Sequence, residues 1–200
     1  MPLLHSSRKK LYRPLYTATY NVGEINLQTR TATETVSSPA RASSYFGFAA
    51  SPDGAFICKM DYGSGLISFY KTGNFATAVA TCTSSSSAYG LFYSPDSRRL
   101  AVPAVGGVFI FNLNNLYNST ISDPTMMGSG AISLGAAGAT YSAAFSPNGN
   151  KVYVVGATNI FHTLTYSGSS WSATGSLAYG FFGIGVCLSP DGNKIGRAHV

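Results

Sequence analysis

The residues that could carry chemistry are few and widely spaced in this chain of 200 residues. Between residues 42 and 193 the acidic side chains are Asp53, Asp61, Asp96, Asp123 and Asp191. Asp53, Asp96 and Asp191 belong to a recurring tight turn, in which an Asp side chain caps local backbone amides. Only Asp61 and Asp123 then remain for catalysis by paired carboxylates. The acidic residues therefore favour a protein without enzymatic activity.

The histidine and cysteine residues do not form a catalytic or metal-binding pattern. His162 lies inside an apolar run and is interpreted as a strand residue rather than a ligand. Nucleophilic catalysis needs a base beside a Ser or Cys, and a metal site needs several converging ligands. The cysteines are odd in number and lack CxxC spacing, which predicts buried free thiols; they are Cys58, Cys82 and Cys187. We expect no catalytic residue, no metal and no cofactor.

A four-residue phrase recurs at the end of apolar runs and predicts a tight turn. Pro presets the φ angle of the second position, Asp or Asn suits the third, and Gly accepts a positive φ. The phrases are Ser51-Pro52-Asp53-Gly54, Ser94-Pro95-Asp96-Ser97, Ser146-Pro147-Asn148-Gly149 and Ser189-Pro190-Asp191-Gly192. The turn serines follow one another at intervals of 43, 52 and 43 residues. Recurrence at such a period predicts a repeat architecture.

Strand patterns surround each turn at matching positions. A small residue precedes each turn serine by four positions, an apolar inner strand fills the interval, and a second strand opens six positions after the serine. Third strands are predicted at 66–70, 108–111 and 160–164, and weaker fourth strands at 76–81, 130–134 and 171–176, with a polar loop at 114–129. Four strands in about 40 to 45 residues are typical of a β-propeller blade. The predicted fold is all-β: a partial β-propeller of about three to four blades, each a four-stranded antiparallel sheet.

The repeat resembles the WD40-like superfamily of propellers, and within it the SPDG-type repeats found in tailed phages and bacteria. The resemblance is carried by the stretch from Phe48 to Cys58 and by the strand from Leu66 to Tyr70. Trp-Asp, the dipeptide that closes the third strand of WD40 repeats, is replaced here by Tyr70-Lys71 in the first such repeat. The resemblance implies a propeller that binds a partner or has a structural role, including a place in a phage particle.

The chain divides into three predicted segments. Residues 1–15 form a basic N-terminal arm, residues 16–195 form incomplete propeller blades, and residues 196–200 are a non-native tail. One back-translation of residues 194–200 matches the start of a common sequencing-library adapter, so we expect a truncated chain; a natural terminus is the alternative. Alternating Thr, Tyr, Ile and Val positions between residues 15 and 38 also suggest strands of a first or last blade.

The charge of the chain indicates which partners to expect. The formal net charge is +6, but the excess of basic residues lies near the two ends, and the body between residues 42 and 193 is neutral. The one basic cluster is Arg8, Lys9, Lys10 and Arg13, interpreted as a solvated arm in preference to a nucleic-acid contact. The sequence predicts neither a signal peptide nor a membrane span of about 18 apolar residues. We expect a soluble protein that is made in the cytoplasm, has no nucleic-acid partner and can be incorporated in a virion.

Aromatic residues near the starts of the inner strands are the candidate binding residues. Phe46, Tyr89 and Tyr141 each lie five positions before a turn serine. They could stack on a sugar or anchor a partner protein, and the alternative is packing between blades. The first hypothesis is a non-enzymatic binding or structural module that belongs to the tail or host-contact apparatus of a phage. The alternatives are a fragment of a lactonase-like propeller enzyme and a carbohydrate-binding propeller.

Overall fold

Antiparallel β-sheets account for nearly all of the regular structure. The computed structural model describes residues 3–5, 10–14, 22–26, 31–35, 45–61, 63–75, 77–85, 87–118, 121–128, 130–134, 138–180 and 183–199, with side chains between residues 47 and 196. These residues contain five sheets and one short helix. Among them, no helix combines the length and the hydropathy that a bilayer crossing requires.

The strands follow one another along the chain in five groups. The first sheet contains β1 (Leu3–His5), β2 (Lys10–Pro14), β3 (Val22–Asn26) and β4 (Thr31–Thr35). The second contains β5 (Tyr45–Ala50), β6 (Phe56–Asp61), β7 (Leu66–Lys71) and β8 (Ala80–Thr83). The third contains β9 (Phe92–Tyr93), β10 (Arg99–Ala104), β11 (Gly107–Asn112), helix α1 (Asn114–Tyr117), β12 (Thr125–Met126) and β13 (Ile132–Ser133). The fourth contains β14 (Thr140–Phe145), β15 (Lys151–Gly156), β16 (Ile160–Tyr166) and β17 (Trp171–Ala178), and the fifth β18 (Gly183–Leu188) and β19 (Ile195–His199).

Within each sheet, spatial order follows chain order. The first, second and fourth sheets have orders β1-β2-β3-β4, β5-β6-β7-β8 and β14-β15-β16-β17, and every neighbouring pair is antiparallel. The second, third and fourth sheets pack face to face, and the first strands of the second to fifth sheets line one channel. This arrangement confirms the predicted all-β fold, a partial β-propeller built from four-stranded antiparallel blades.

The third sheet differs from the others at its outer edge. The fourth-strand position is shared by β12, which pairs with Phe111 and Asn112, and β13, which pairs with Gly107 and Val108. The segment 114–129, predicted as a loop, contains helix α1 and strand β12. The extra residues of this repeat therefore interrupt its outer strand, whereas the three inner positions of the sheet keep the blade geometry.

Two of the predicted segments outside the propeller blades contain strands. Residues 1–15, predicted as a basic arm, contain β1 and β2, and the register aligns Leu4 with Leu11 and Leu11 with Ile25 across the first sheet. Residues 196–199, predicted as a non-native tail, continue β19, which pairs with β18 from Ile195↔Leu188 to His199↔Gly183. Backbone pairing can extend through such segments because it uses N–H and C=O groups that every non-proline residue carries. Strands β3 and β4 lie within residues 15–38, where the alternating pattern suggested strands.

The core lies between neighbouring sheets, because side chains alternate across the two faces of each strand. In the second sheet Cys58, Met60, Ile67 and Phe69 face the third sheet and are fully buried there. In the fourth sheet Val152, Val154 and Leu164 pack against the third sheet in the same way. The two-sided burial explains why the strands read as near-continuous apolar runs.

The recurring turn uses one hydrogen-bond pattern in all its copies. In the second sheet Ser51 Oγ donates to Asp53 Oδ1 (2.7 Å) and accepts from Phe56 N–H (2.9 Å), while Asp53 Oδ1 accepts from Ala55 N–H (3.0 Å). Gly54, at φ 70°, donates its N–H to Ser51 O (2.8 Å). The same bonds recur around Ser94, Ser146 and Ser189. Each phrase therefore joins the first strand of a blade to the second and fixes their register.

One turn carries serine where the others have glycine, and this serine links two blades. Ser97 has a φ of 62°, a conformation that costs a residue with a Cβ roughly 1 kcal/mol. Its buried Oγ accepts the N–H of Asp53 in the neighbouring turn (3.1 Å). The hydroxyl therefore offsets backbone strain with a contact between the second and third sheets.

Substitution of Ser97 separates these two effects. Ser97→Ala keeps the strained φ and leaves Asp53 N–H without its acceptor, so we expect the free energy of unfolding to fall by about 1–2 kcal/mol. Ser97→Gly loses the same bond but relieves the strain, and we expect a change within about 0.5 kcal/mol. Urea denaturation of both variants measures the difference, and equal losses in the two would contradict the role given to the hydroxyl.

Candidate functional site

An open channel runs along the first strands of the second to fifth sheets. Its volume is about 530 Å³, and its wall is formed by β5, β9, β14, β18 and the residues beside them. The largest lining side chains are Phe48, Tyr89, Phe92, Tyr93 and Phe145. No lining residue carries a charge. The channel can therefore accept apolar and uncharged polar groups, and its wall offers no carboxylate, amine or imidazole for acid–base chemistry.

Small residues on the first strands allow the blades to approach one another around this channel. A Cβ added to Gly47 would lie 2.9 Å from Cγ of Leu91 in the next blade. A Cβ added to Gly90 would lie 2.6 Å from the ring of Phe92 in its own blade and 3.5 Å from Tyr141 O in the next. At the matching position of the fourth sheet, Ser142 Oγ accepts the N–H of Val186 in the fifth sheet (3.1 Å). Close packing thus explains the small residue four positions before the turn serine at Gly47, Gly90 and Ser142.

The fold brings two of the three candidate aromatic residues into contact. The rings of Tyr89 and Tyr141 meet edge to face, with centroids 5.0 Å apart and planes at 84°. Tyr89 also donates its backbone N–H to Pro103 O (2.9 Å) and lines the channel, and both tyrosines are half-buried. Phe46 lies on β5, but its side chain falls outside the described residues. The tyrosine pair connects the third and fourth sheets at the channel wall.

The acidic residues named in the sequence are each engaged by backbone amides and do not form a pair. Asp61, buried at the end of β6, accepts the N–H of Gly63 (3.1 Å), and Asp123 accepts the N–H of Thr81 (2.8 Å) on β8. Burial alone would raise the pKa of Asp53, but hydrogen bonds from Ser51 and Ala55 lower it below its usual value. These contacts hold turns and edges in place. Within the described chain, no three His, Cys, Asp or Glu side chains gather as a metal site.

His162 lies on β16 between Val154 and Ser176 of the adjoining strands. Its side chain is buried against the third sheet, and Nε2 has no hydrogen-bond partner among the described residues. Burial lowers the pKa of His162 below its ordinary value of about 6.5 because the charged imidazolium is poorly solvated there. A neutral, buried histidine of this kind contributes to core packing. Among the described residues it belongs to no group of potential metal ligands.

The cysteines are free thiols in three different environments. Burial raises the pKa of the Cys58 thiol to about 12 and also raises the pKa of Cys82, so both thiols stay protonated near neutral pH. The prediction that all three are buried is wrong for Cys187, which is exposed on β18. Its exposure follows from the fifth sheet, which has only the strands β18 and β19 in the described chain.

A set of arginine–aromatic contacts near the turns was not predicted. The guanidinium carbon of Arg98 lies 3.7 Å from the ring centroid of Tyr117, and that of Arg99 lies 4.7 Å from the ring of Tyr166. Arg99 Nη1 also donates to Gly149 O (3.1 Å) in the next turn. The sequence signal was the Arg98-Arg99 pair directly after one turn, where the other repeats have different residues. The Arg99 contacts tie the third blade to the fourth by cation–π attraction and hydrogen bonding, whereas the Arg98 contact holds helix α1 against the turn of its own blade.

Comparison with known proteins adds evidence on the fold. No protein-family model matches the chain, and no curated protein sequence matches it significantly. The solved β-propeller domain of Cps50 (Swd1) from Myceliophteria thermophila is similar, with a TM-score of 0.75 and 9% sequence identity. The chain folds as a β-propeller. The similarity covers 99% of this chain and 61% of that chain, so this propeller spans less than two thirds of the length of its structural neighbour.

Proposed function

We propose that this propeller is a non-enzymatic binding module that holds an uncharged, partly aromatic segment of a partner protein in its channel. The observation that carries the proposal is the channel wall, which combines aromatic side chains with a complete lack of charged lining residues. Propellers in general serve as binding or structural modules, and the fold is consistent with that role. The wall supports recognition of apolar and uncharged groups, since charged ones would lose hydration there without a partner.

Backbone groups of the inner strands add polar contacts to this apolar wall. Strands β5 and β14 pair with β6 and β15 on one side, and neither has a strand partner on its channel side among the described residues. Their free N–H and C=O groups can bind the backbone of an extended segment, as edge strands do in peptide recognition. Side chains such as Tyr89 and Phe92 would then fill the spaces between its residues.

The alternatives receive less support from the same observations. A lactonase-like enzyme needs acidic and basic side chains over its channel, and the described wall contains no carboxylate, amine or imidazole. A sugar needs an open aromatic face, whereas the rings of Tyr89 and Tyr141 are turned onto one another. A glycan array probed with the full chain would test the carbohydrate-binding alternative directly.

The proposed role includes a component of a phage particle, in the tail or host-contact apparatus. The neutral, weakly charged body and the resemblance to SPDG-type repeats support this role: only 10% of all residues are charged. Mass spectrometry of purified virions tests it. Consistent absence of the protein from the particles would remove the phage role and leave the channel proposal standing.

The channel is tested by placing a charge in it and an equal charge elsewhere. Random-peptide display on the full chain should enrich uncharged peptides with aromatic residues. Ala144→Glu adds a carboxylate to the lining and should reduce their binding about tenfold or more. Ala173→Glu makes the same change on the exposed strand β17 and should leave binding unchanged. Failure to enrich any peptide, or equal binding by both variants, would overturn the proposal.

A further inference from the structure

One of the recurring turns contains a pair of residues that can react with each other. Asn148 and Gly149 occupy the third and fourth positions of the turn that begins at Ser146. The turns at 51–54 and 189–192 have Asp-Gly at these positions, and the turn at 94–97 has Asp-Ser. Asn148-Gly149 is the one Asn-Gly pair in the 200 residues of the chain. Asn148 is exposed, so water reaches its side-chain amide.

An Asn-Gly pair can lose the side-chain amide nitrogen without an enzyme, because glycine has no side chain to hinder attack by its own backbone nitrogen. The backbone nitrogen of Gly149 would bond to Cγ of Asn148 and give up its proton, and the side-chain nitrogen would leave with that proton as ammonia. Water then adds its hydroxyl to one carbonyl carbon of the cyclic imide and returns a proton to the ring nitrogen. Opening at Cγ gives aspartate. Opening at the main-chain carbonyl carbon gives isoaspartate, in which the backbone runs through Cβ and Cγ.

The folded turn opposes ring closure. Gly149 donates its backbone N–H to Ser146 O (2.8 Å), so the attacking nitrogen is engaged. Oδ1 of Asn148 accepts Ser146 Oγ–H (2.7 Å) and the N–H of Asn150 (3.1 Å), and these bonds fix the side-chain amide. An exposed turn can open locally at less cost than global unfolding. The intact turn therefore slows the reaction, and local opening permits it.

We propose that Asn148 is a site of spontaneous deamidation, and that Ser146 controls the rate of the reaction through the hydrogen bonds of its turn. The two products have different effects on the fold. Aspartate preserves the turn, because Asp53 and Asp191 accept the same pair of hydrogen bonds from the turn serine and from the amide two residues further on.

Isoaspartate disrupts the turn, because it adds one carbon atom to the main chain inside it. The bond from Gly149 N–H to Ser146 O closes the turn between β14 and β15, and the longer main chain changes its geometry. Gly149 O also accepts Arg99 Nη1 (3.1 Å), and the guanidinium carbon of Arg99 lies 4.7 Å from the ring centroid of Tyr166. Since Arg99 belongs to the third sheet, isoaspartate loosens the contact between the third and fourth sheets as well as the turn.

Asn150 provides an internal control for the rate. It is also exposed and lies in the same tryptic peptide, but Lys151 follows it, and the side chain of Lys151 hinders attack. The full chain is incubated at mildly alkaline pH, and mass spectrometry follows the replacement of NH by O at each residue. We expect Asn148 to react at least about tenfold faster than Asn150, and about tenfold or more slower than in a free peptide of residues 143–153. Equal rates at the two residues, or in the chain and the peptide, would overturn the proposal.

Two serine substitutions test control by the turn. Ser146→Ala removes the Oγ that donates to Asn148 Oδ1 and accepts Lys151 N–H (3.0 Å), so the reaction at Asn148 should become about fivefold or more faster. Ser51→Ala makes the same change in the turn of the second sheet and should alter the rate at Asn148 less than about twofold. Equal acceleration by both variants would show that the rate follows global stability, and the role of Ser146 would be wrong.

The structural consequence is measured on the separated products. Ion-exchange chromatography isolates the deamidated chains, and isoaspartyl methyltransferase identifies those with isoaspartate. Hydrogen exchange of the Lys151 amide should be about tenfold or more faster in the isoaspartate form, because that N–H binds Ser146 Oγ in the intact turn. Asn148→Asp, which has the other product at this position, should change the exchange less than about twofold. Equal exchange in the isoaspartate and unmodified forms would contradict the proposed disruption of the turn.

Discussion

Replacing Phe69 by Ala should lower the free energy of unfolding by about 3–5 kcal/mol. Phe69 is fully buried in the core between the second and third sheets, among residues that include Met60 and Phe111. Removing the ring leaves a cavity, because two sheets held by backbone pairing relax only partly into the space. The free energy of unfolding of a single domain is about 5–15 kcal/mol, so this loss would remove a large fraction of the total stability. Urea denaturation followed by circular dichroism measures the loss.

The matched control is the same substitution at Phe161 on β16. Phe161→Ala removes the same ring from a half-buried position, where it stacks on Tyr153. We expect a loss of about 1 kcal/mol, since much of the ring already contacts solvent. Equal losses for Phe69→Ala and Phe161→Ala would mean that Phe161 is packed as tightly as the interior, which contradicts this prediction.

The repeat was predictable because its signal is local. The turn from Ser51 to Gly54 needs particular residue types at consecutive positions, and those types are visible without any knowledge of the fold. Apolar runs at fixed distances from that turn then placed three strands of each blade. The outer strands were placed less well: β8 begins at Ala80, four residues after the predicted start, and the outer position of the third sheet is divided between β12 and β13. Outer strands face solvent, so little in their composition marks where pairing begins.

Contacts between blades could not be predicted in the same way. The bond from Asp53 N–H to Ser97 Oγ joins residues 44 positions apart. Ser97 itself stands where the turn pattern favours glycine. The candidate site shows the same limit. Tyr89 and Tyr141 were recognised as aromatic residues beside inner strands, but their edge-to-face contact depends on how the third and fourth sheets approach. The lack of charge in the channel is likewise a property of strands from four blades taken together.

Thr140 provides the second large effect, through a buried polar contact between blades. Its Oγ1 accepts the N–H of Ala104 (2.9 Å) and lies 2.8 Å from both Ala104 O and Gly107 O, to which its one proton can be donated. The residue is 3% exposed. The hydroxyl thus joins the start of β14 to the connection between β10 and β11 in the preceding sheet, at a place that water does not reach.

Thr140→Val keeps the shape of the side chain and removes these hydrogen bonds. An N–H and two carbonyl groups of the third sheet then remain buried with a partner lost, and we expect the free energy of unfolding to fall by about 2–4 kcal/mol. Thr140→Ser retains the hydroxyl and loses one methyl group, so its loss should be closer to about 1 kcal/mol. The order of the two variants in urea denaturation decides the cause. If Thr140→Ser lowers stability more, packing of the methyl group holds the two blades together and the hydroxyl contributes little. If Thr140→Val lowers stability more, the blades are joined by a polar contact that no local sequence pattern predicts.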